Sequence, residues 1–257
     1  LQVPVFRWFD RHLKGKEELI EEAAVKYYRP EELKVFAALP KEERTSRIHE
    51  TFVAKGSGPV NKEVLREKVF GGWPRKAGAL NVTAREVTLG ERRVTELQFD
   101  AQEGVRLSLF VAPGAERLKL RIADEGAREE VGAMLADGAN AVLLTRGAES
   151  EPLTKTEVQI RRRYMLVGQT LNGMRVWDIL RAVEALKAFP ATRGLAIEAM
   201  GEGEHASNLV LAALFEPRLE RLRVPAVEQF SEKSAYLNLL RFNTWAEICG
   251  ELKARIE

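Results

Sequence analysis

Cysteine is almost missing from this chain: Cys249 stands alone among 257 residues. One thiol can form neither an intramolecular disulfide nor a multi-cysteine metal site, and no metal or cofactor is expected. Long apolar runs are missing too. None approaches the ~18 residues of a membrane span, so no membrane contact is expected. Neither charge dominates: 40 lysines and arginines face 38 acidic residues, a net charge of +2 spread along the chain. A nucleic-acid surface usually concentrates its charge, so no nucleic-acid partner is expected. The scattered glycines form neither a Gly-x-Gly-x-x-Gly fingerprint nor a P-loop, which sets nucleotide binding aside. A starting methionine and a basic-then-apolar leader are both missing. Leu1 therefore reads as the middle of a longer sequence, a processed or incomplete chain, and no compartment is assigned. What the chain does have is a 45% hydrophobic content, enough to build one large domain, alone or with an appendage.

Three segments differ in character. Residues 1–15 (LQVPVFRWFDRHLKG) read as a short amphipathic helix with Val5, Phe6, Trp8, Phe9 and Leu13 on its apolar side and Gly15 as its stop. Residues 16–78 read as helical and connecting structure without chemistry of its own, broken at Arg29-Pro30 and at Gly56-Ser57-Gly58-Pro59. Residues 79–257 read as an α/β domain. Strand-like alternation at 79–88, 93–100 and 105–112 is followed by strands at 118–123 and 140–145, with a helix at 127–136 between them. A polar connection through Arg161-Arg162-Arg163 leads to the longest helical pattern, Gly173 to Phe189. Hairpin strands followed by strand–helix alternation predict a mostly parallel sheet with helices on both faces.

The stretch Gly194 to Phe215 (GLAIEAMGEGEHASNLVLAALF) organises this domain. Leu195 to Met200 suits a buried strand, and Ala206 to Phe215 reads as a helix with Leu209, Val210, Ala213 and Leu214 on one face. Between them lies a glycine-cornered turn. Strand, tight turn and helix make the context of a nucleophile elbow, whose pattern is Gly-x-Ser-x-Gly. Here the five positions are Gly201, Glu202, Gly203, Glu204 and His205. The frame fits, and the serine is replaced by glycine.

With YMLVGQTLNGMRVWDILRAVEAL before the elbow, FEPRLERLRV after it and YLNLLRFNTWAEICGEL beyond, the chain resembles bacterial α/β-hydrolases of the acetylxylan-esterase and prolyl-oligopeptidase-like kind. The resemblance runs from about Arg93 to the C-terminus, and its most specific piece is the elbow. The N-terminal LQVPVFRWFDRHLKG resembles the last helix of such a hydrolase. By that resemblance the chain would be the tail of a first hydrolase unit, a linker, and most of a second, degenerate unit lacking its last strands. Its expected partner is the preceding catalytic unit, or a second copy.

The chemistry can be tested residue by residue. Acyl transfer needs a nucleophile, a histidine base and an orienting acid, in the order Ser, Asp or Glu, His. The histidines are His12, His49 and His205, none of them beyond the elbow turn. Ser207 is a remote nucleophile candidate, for which capping of the helix start is the expected role. Glu202, Glu204 and His205 are not spaced to converge on a metal, and a solvated turn is expected of them. Asp124, Glu125 and Gly126 follow a strand at the position that supplies the second oxyanion N–H in hydrolases, and they are candidate binding residues. Asp178 is expected to be a structural hydrogen-bonding group and Arg161 to Arg163 to be solvated. The expected function is a non-catalytic hydrolase-like domain with a structural, substrate-access or association role. The alternatives are an esterase or carbohydrate deacetylase completed by missing sequence or a partner, and an anion- or small-ligand-binding module using the emptied elbow.

Overall fold

The computed structural model describes residues 2–18, 28–48, 56–114, 116–123, 130–148, 157–226, 230 and 234–257. The chain divides into two units, Leu1–Phe52 and Val53–Glu257. In the first, helix α1 (Gln2–Phe9) continues as a wider π-type turn over Asp10–Lys14. Gly15, at a φ of 64°, stops it, a left-handed conformation that glycine adopts without steric cost. Phe6, Trp8, Phe9 and Leu13 are all exposed. Most of the helical pattern expected after Glu17 lies outside the described residues, as does His49.

The second unit is built on seven strands: β1 (Thr83–Leu89), β2 (Arg92–Gln102), β3 (Val105–Val111), β4 (Leu118–Ala123), β5 (Ala141–Leu144), β6 (Ile197–Met200) and β7 (Leu219–Arg223). They lie in the order β1-β2-β3-β5-β4-β6-β7. The first three are antiparallel hairpins, β5 pairs antiparallel with β3, and β5, β4, β6 and β7 run parallel. The mostly parallel α/β sheet with leading hairpin strands expected from the sequence is therefore present, four of its seven strands running parallel. The last strand, β7, ends at Arg223.

Two cores flank this sheet. On one face α2 (Lys62–Lys68), α5 (Leu171–Ala188), α6 (Gly203–Phe215) and α8 (Trp245–Glu251) bury the large one, which includes Leu97, Leu120, Ala199, Ile179, Leu209 and Ile248. On the other, α3 (Val131–Ala136) closes a small one, with Val131 and Leu135 over Phe110, Val142 and Leu144. Arg161 to Arg163 do not lie in a connecting segment: they sit in helix α4 (Glu157–Leu166), where Glu157 and Arg161 pair at 2.9 Å one turn apart. Residues 62–73, read from the sequence as connecting structure, contribute Leu65, Val69, Phe70 and Trp73 to the large core. Trp73 stacks on Phe70 with ring centres 4.3 Å apart, and its Nε1 donates to the Gly173 carbonyl at 2.7 Å. Burying an indole while satisfying its N–H makes this contact a strong tether. We predict that Trp73→Ala lowers the unfolding free energy by about 3–5 kcal/mol in a urea titration followed by circular dichroism.

Candidate functional site

Strand β6 enters the turn through Gly201, whose N–H donates to the Arg223 carbonyl at 3.3 Å. A Cβ on Gly201 would lie 2.6 Å from the His205 carbonyl oxygen and 2.8 Å from its carbon, so only glycine fits where the helix passes back over the strand. Gly203 has a φ of 52°, the left-handed turn on which a hydrolase places its nucleophile. A Cβ built there meets nothing within 4 Å. The turn therefore combines a tight corner at Gly201 with open space over Gly203, which has no side chain to enter it.

Helix α6 begins at Gly203, three residues earlier than the apolar periodicity suggests, because His205 N–H already bonds the Glu202 carbonyl at 2.8 Å. This corrects the expected role of Ser207. It lies inside the helix rather than at its cap, wholly buried, and its Oγ donates back to the Glu204 carbonyl at 3.0 Å. The same hydroxyl is 2.8 Å from Ser234 Oγ and 2.9 Å from the Tyr236 hydroxyl. Tyr236 in turn donates to Asn208 at 2.6 Å, and burial pushes its phenol well above the usual range.

Nor do the turn residues form one solvated cluster. Of Glu202, Glu204 and His205, only Glu202 is exposed, 3.6 Å from Arg121. Glu204 turns inward and accepts from Arg161 at 2.6 Å, Asn172 at 2.8 Å and Arg175 at 3.3 Å. Burial works against the Arg161 charge, but Glu204 and Glu157 outweigh it and raise its pKa. His205 is buried beside Asn208, and desolvation, with help from Arg175, pushes its imidazole down to about 3 against an opposing hydrogen bond to the Ala123 backbone. It is a neutral, structural histidine. Beneath this knot Asp178 accepts a fork from Arg146 at 2.6 and 2.9 Å and also the Arg146 N–H at 3.0 Å. Arg175 links the two layers by donating to the Arg146 carbonyl at 3.2 Å. Sequence reasoning missed Arg146, Asn172, Arg175, Asn208 and Tyr236. The available signal was Arg175 and Asp178, charges set among the apolar residues Met174, Val176, Trp177 and Ile179 in the first half of α5. Asp124, Glu125 and Gly126 lie outside the described residues.

No family model and no curated protein matches this sequence. Among solved structures it is similar to a Bacteroides fragilis protein assigned as an acetyl xylan esterase, at 10% identity and a TM-score of 0.56, over 76% of this chain and 64% of that one. The chain has the α/β-hydrolase fold. Acetyl Xylan Esterase 1 from Thermoanaerobacterium (13% identity, TM-score 0.44, 66% of this chain and 60% of that one) and the dienelactone hydrolase of Anabaena variabilis (18%, 0.33, 57% and 63%) are also matched, at scores too low to carry an argument. The chain spans less than two thirds of each of these proteins.

Two measurements check this site. Gly201→Ala should destabilise the fold more than Gly203→Ala, because the first drives a methyl into backbone while the second costs only the left-handed φ, roughly 1–2 kcal/mol. A neutral buried His205 also has a pH signature: the unfolded chain takes up a proton near pH 6.5 that the folded state refuses down to about 3. Stability relative to His205→Gln should therefore fall as the pH drops from about 7 to about 4, with a slope approaching about 1.4 kcal/mol per pH unit in denaturant titrations.

Proposed function

We propose that this chain is a non-catalytic α/β-hydrolase-like unit of a larger esterase-like protein, with a structural, substrate-access or association role. The observation that carries the reading is Gly203 at the nucleophile position, holding the elbow's φ of 52° with no side chain to activate. The surroundings support it. Ser207, the nearest hydroxyl on the helix, is wholly buried and engaged by three oxygens. His205 is neutral and turned toward Ala123 and Asn208. The carboxylate of Glu204 is taken up by two arginines and an asparagine, so among the described residues neither Glu204 nor His205 is placed to take a hydroxyl proton. In this proposal residues 1–15 are the tail of a preceding hydrolase unit, the natural partner of residues 79–257.

A second reading keeps the enzyme: an acetylxylan-esterase-like deacetylase whose nucleophile and base come from further sequence or a partner. It draws on the likeness to the Bacteroides fragilis protein, of which this chain spans 64%. Labelling with a fluorophosphonate serine-hydrolase probe, alongside turnover of an aryl acetate, separates the two. The first reading expects no labelled serine and no turnover. It also expects Gly203→Ser to fold, since its Cβ enters open space, and to remain unlabelled for want of a base. Specific labelling of a serine in the unmodified chain would refute the first reading.

A further inference from the structure

Helix α4 is held differently from α5 and α6. Most residues of those two helices are buried, whereas no residue of α4 is. Its half-buried residues are Glu157, Ile160, Arg161 and Tyr164, spaced three and four apart on one stripe, and of these Tyr164 packs against the large core. Val158, Met165 and Leu166 are exposed. The helix ends at a joint: Gly168 stands at a φ of 72° with open space where a Cβ would be, and Thr170 already caps α5.

Arg161 reaches from this lightly packed helix into both of the others. Its Nη2 donates to Glu204 at 2.6 Å, its Nη1 to the Asn172 side-chain oxygen at 3.0 Å, and its Nε to Glu157 on its own helix at 2.9 Å. The two acceptors beyond α4 are positioned without it. Glu204 also accepts from Asn172 at 2.8 Å and from Arg175 at 3.3 Å, and the Asn172 oxygen also accepts the Ala235 N–H at 3.3 Å. Asn172 and Arg175 are themselves buried in α5. Together they make a socket: a carboxylate oxygen and an amide oxygen from different helices, set to receive two N–H groups of one planar cation. A guanidinium matches that pattern with its rigid fork, and a compact ammonium does not. The Glu204 side chain is only 14% exposed, so emptying the socket leaves a poorly hydrated carboxylate oxygen, which favours refilling it.

We propose that α4 is a latch: the guanidinium of Arg161 plugs the socket formed by Glu204 and Asn172, and α4 opens as a unit about Gly168 when that socket is empty, while α5 and α6 stay closed. The latch rests on these contacts and does not depend on whether the elbow is catalytic.

Hydrogen exchange of the full chain, read by mass spectrometry, tests this. The amides of residues 160–166 should exchange faster than those of α5 and α6, as a separately opening unit does. Arg161→Ala should speed α4 exchange by about tenfold or more, and exchange in α5 and α6 by less than about twofold. Arg162→Ala makes the same change in helix propensity at an exposed neighbour and should alter α4 exchange by less than about twofold. Millimolar methylguanidinium, which Glu157 can still grip, should slow α4 exchange in Arg161→Ala saturably. Methylammonium at the same ionic strength should not, and Arg161→Ala/Glu204→Gln should not respond to either. Arg161→Lys keeps the charge, loses the fork and guards against a folding defect: α4 should open to an intermediate degree, with α5 and α6 unchanged. Exchange of α4 only together with α5 and α6, or an equal effect of Arg162→Ala, would overturn the latch. So would a lysine that closes α4 as well as arginine does, or a methylguanidinium effect no greater than that of methylammonium.

Discussion

The carboxylate of Glu204 is drawn inward by Arg161 from α4 and by Arg175 and Asn172 from α5, and around that contact the second unit is fastened. A charge leaving water loses its hydration, and only paired, hydrogen-bonded neighbours repay the cost. Here the repayment is shared among three elements, so α4, α5 and the start of α6 hold a common register. The Arg146–Asp178 fork adds the end of β5 to the same system. Replacing one member alone would leave another buried and unpaired.

That arrangement bears directly on function. A hydrolase elbow needs room, a hydroxyl and a base above the turn. Room remains over Gly203, because the corner made by Gly201 is kept. The neighbouring polar groups have settled instead into contacts with one another. Ser207, Tyr236, Asn208 and Ser234 form a closed set of hydroxyls and amides, and the buried His205 stays uncharged. These are the marks of a polar layer that specifies how helices pack.

The order of strands, turns and helices could be read from the chain because local patterns encode it. Alternation marked the hairpins, and glycines at 201 and 203 marked the elbow through the close approach and the positive φ that they permit. The glycine at position 203 was equally legible, since a residue type at a fixed position in a turn needs no neighbours to identify it. Other assignments failed for want of those neighbours. Arg161 looked solvated, Ser207 looked like a cap and the turn looked exposed, because each is polar and local sequence says nothing of what stands opposite.

Sequence by itself determined the strand–turn–helix grammar and the glycine corner at Gly201 and Gly203. Tertiary structure decided which charges meet. Arg146 finds Asp178 at 32 residues' distance, Arg161 finds Glu204 at 43, and Trp73 reaches Gly173 across 100. It also decided which face of LKLRIA turns inward: Leu120 and Ile122 enter the large core, while Lys119 and Arg121 lie on the other side of the strand. The reason is physical. Periodicity fixes the side of an element on which a residue sits, but only the packing of distant segments fixes whether that side meets water, carbon or an opposite charge.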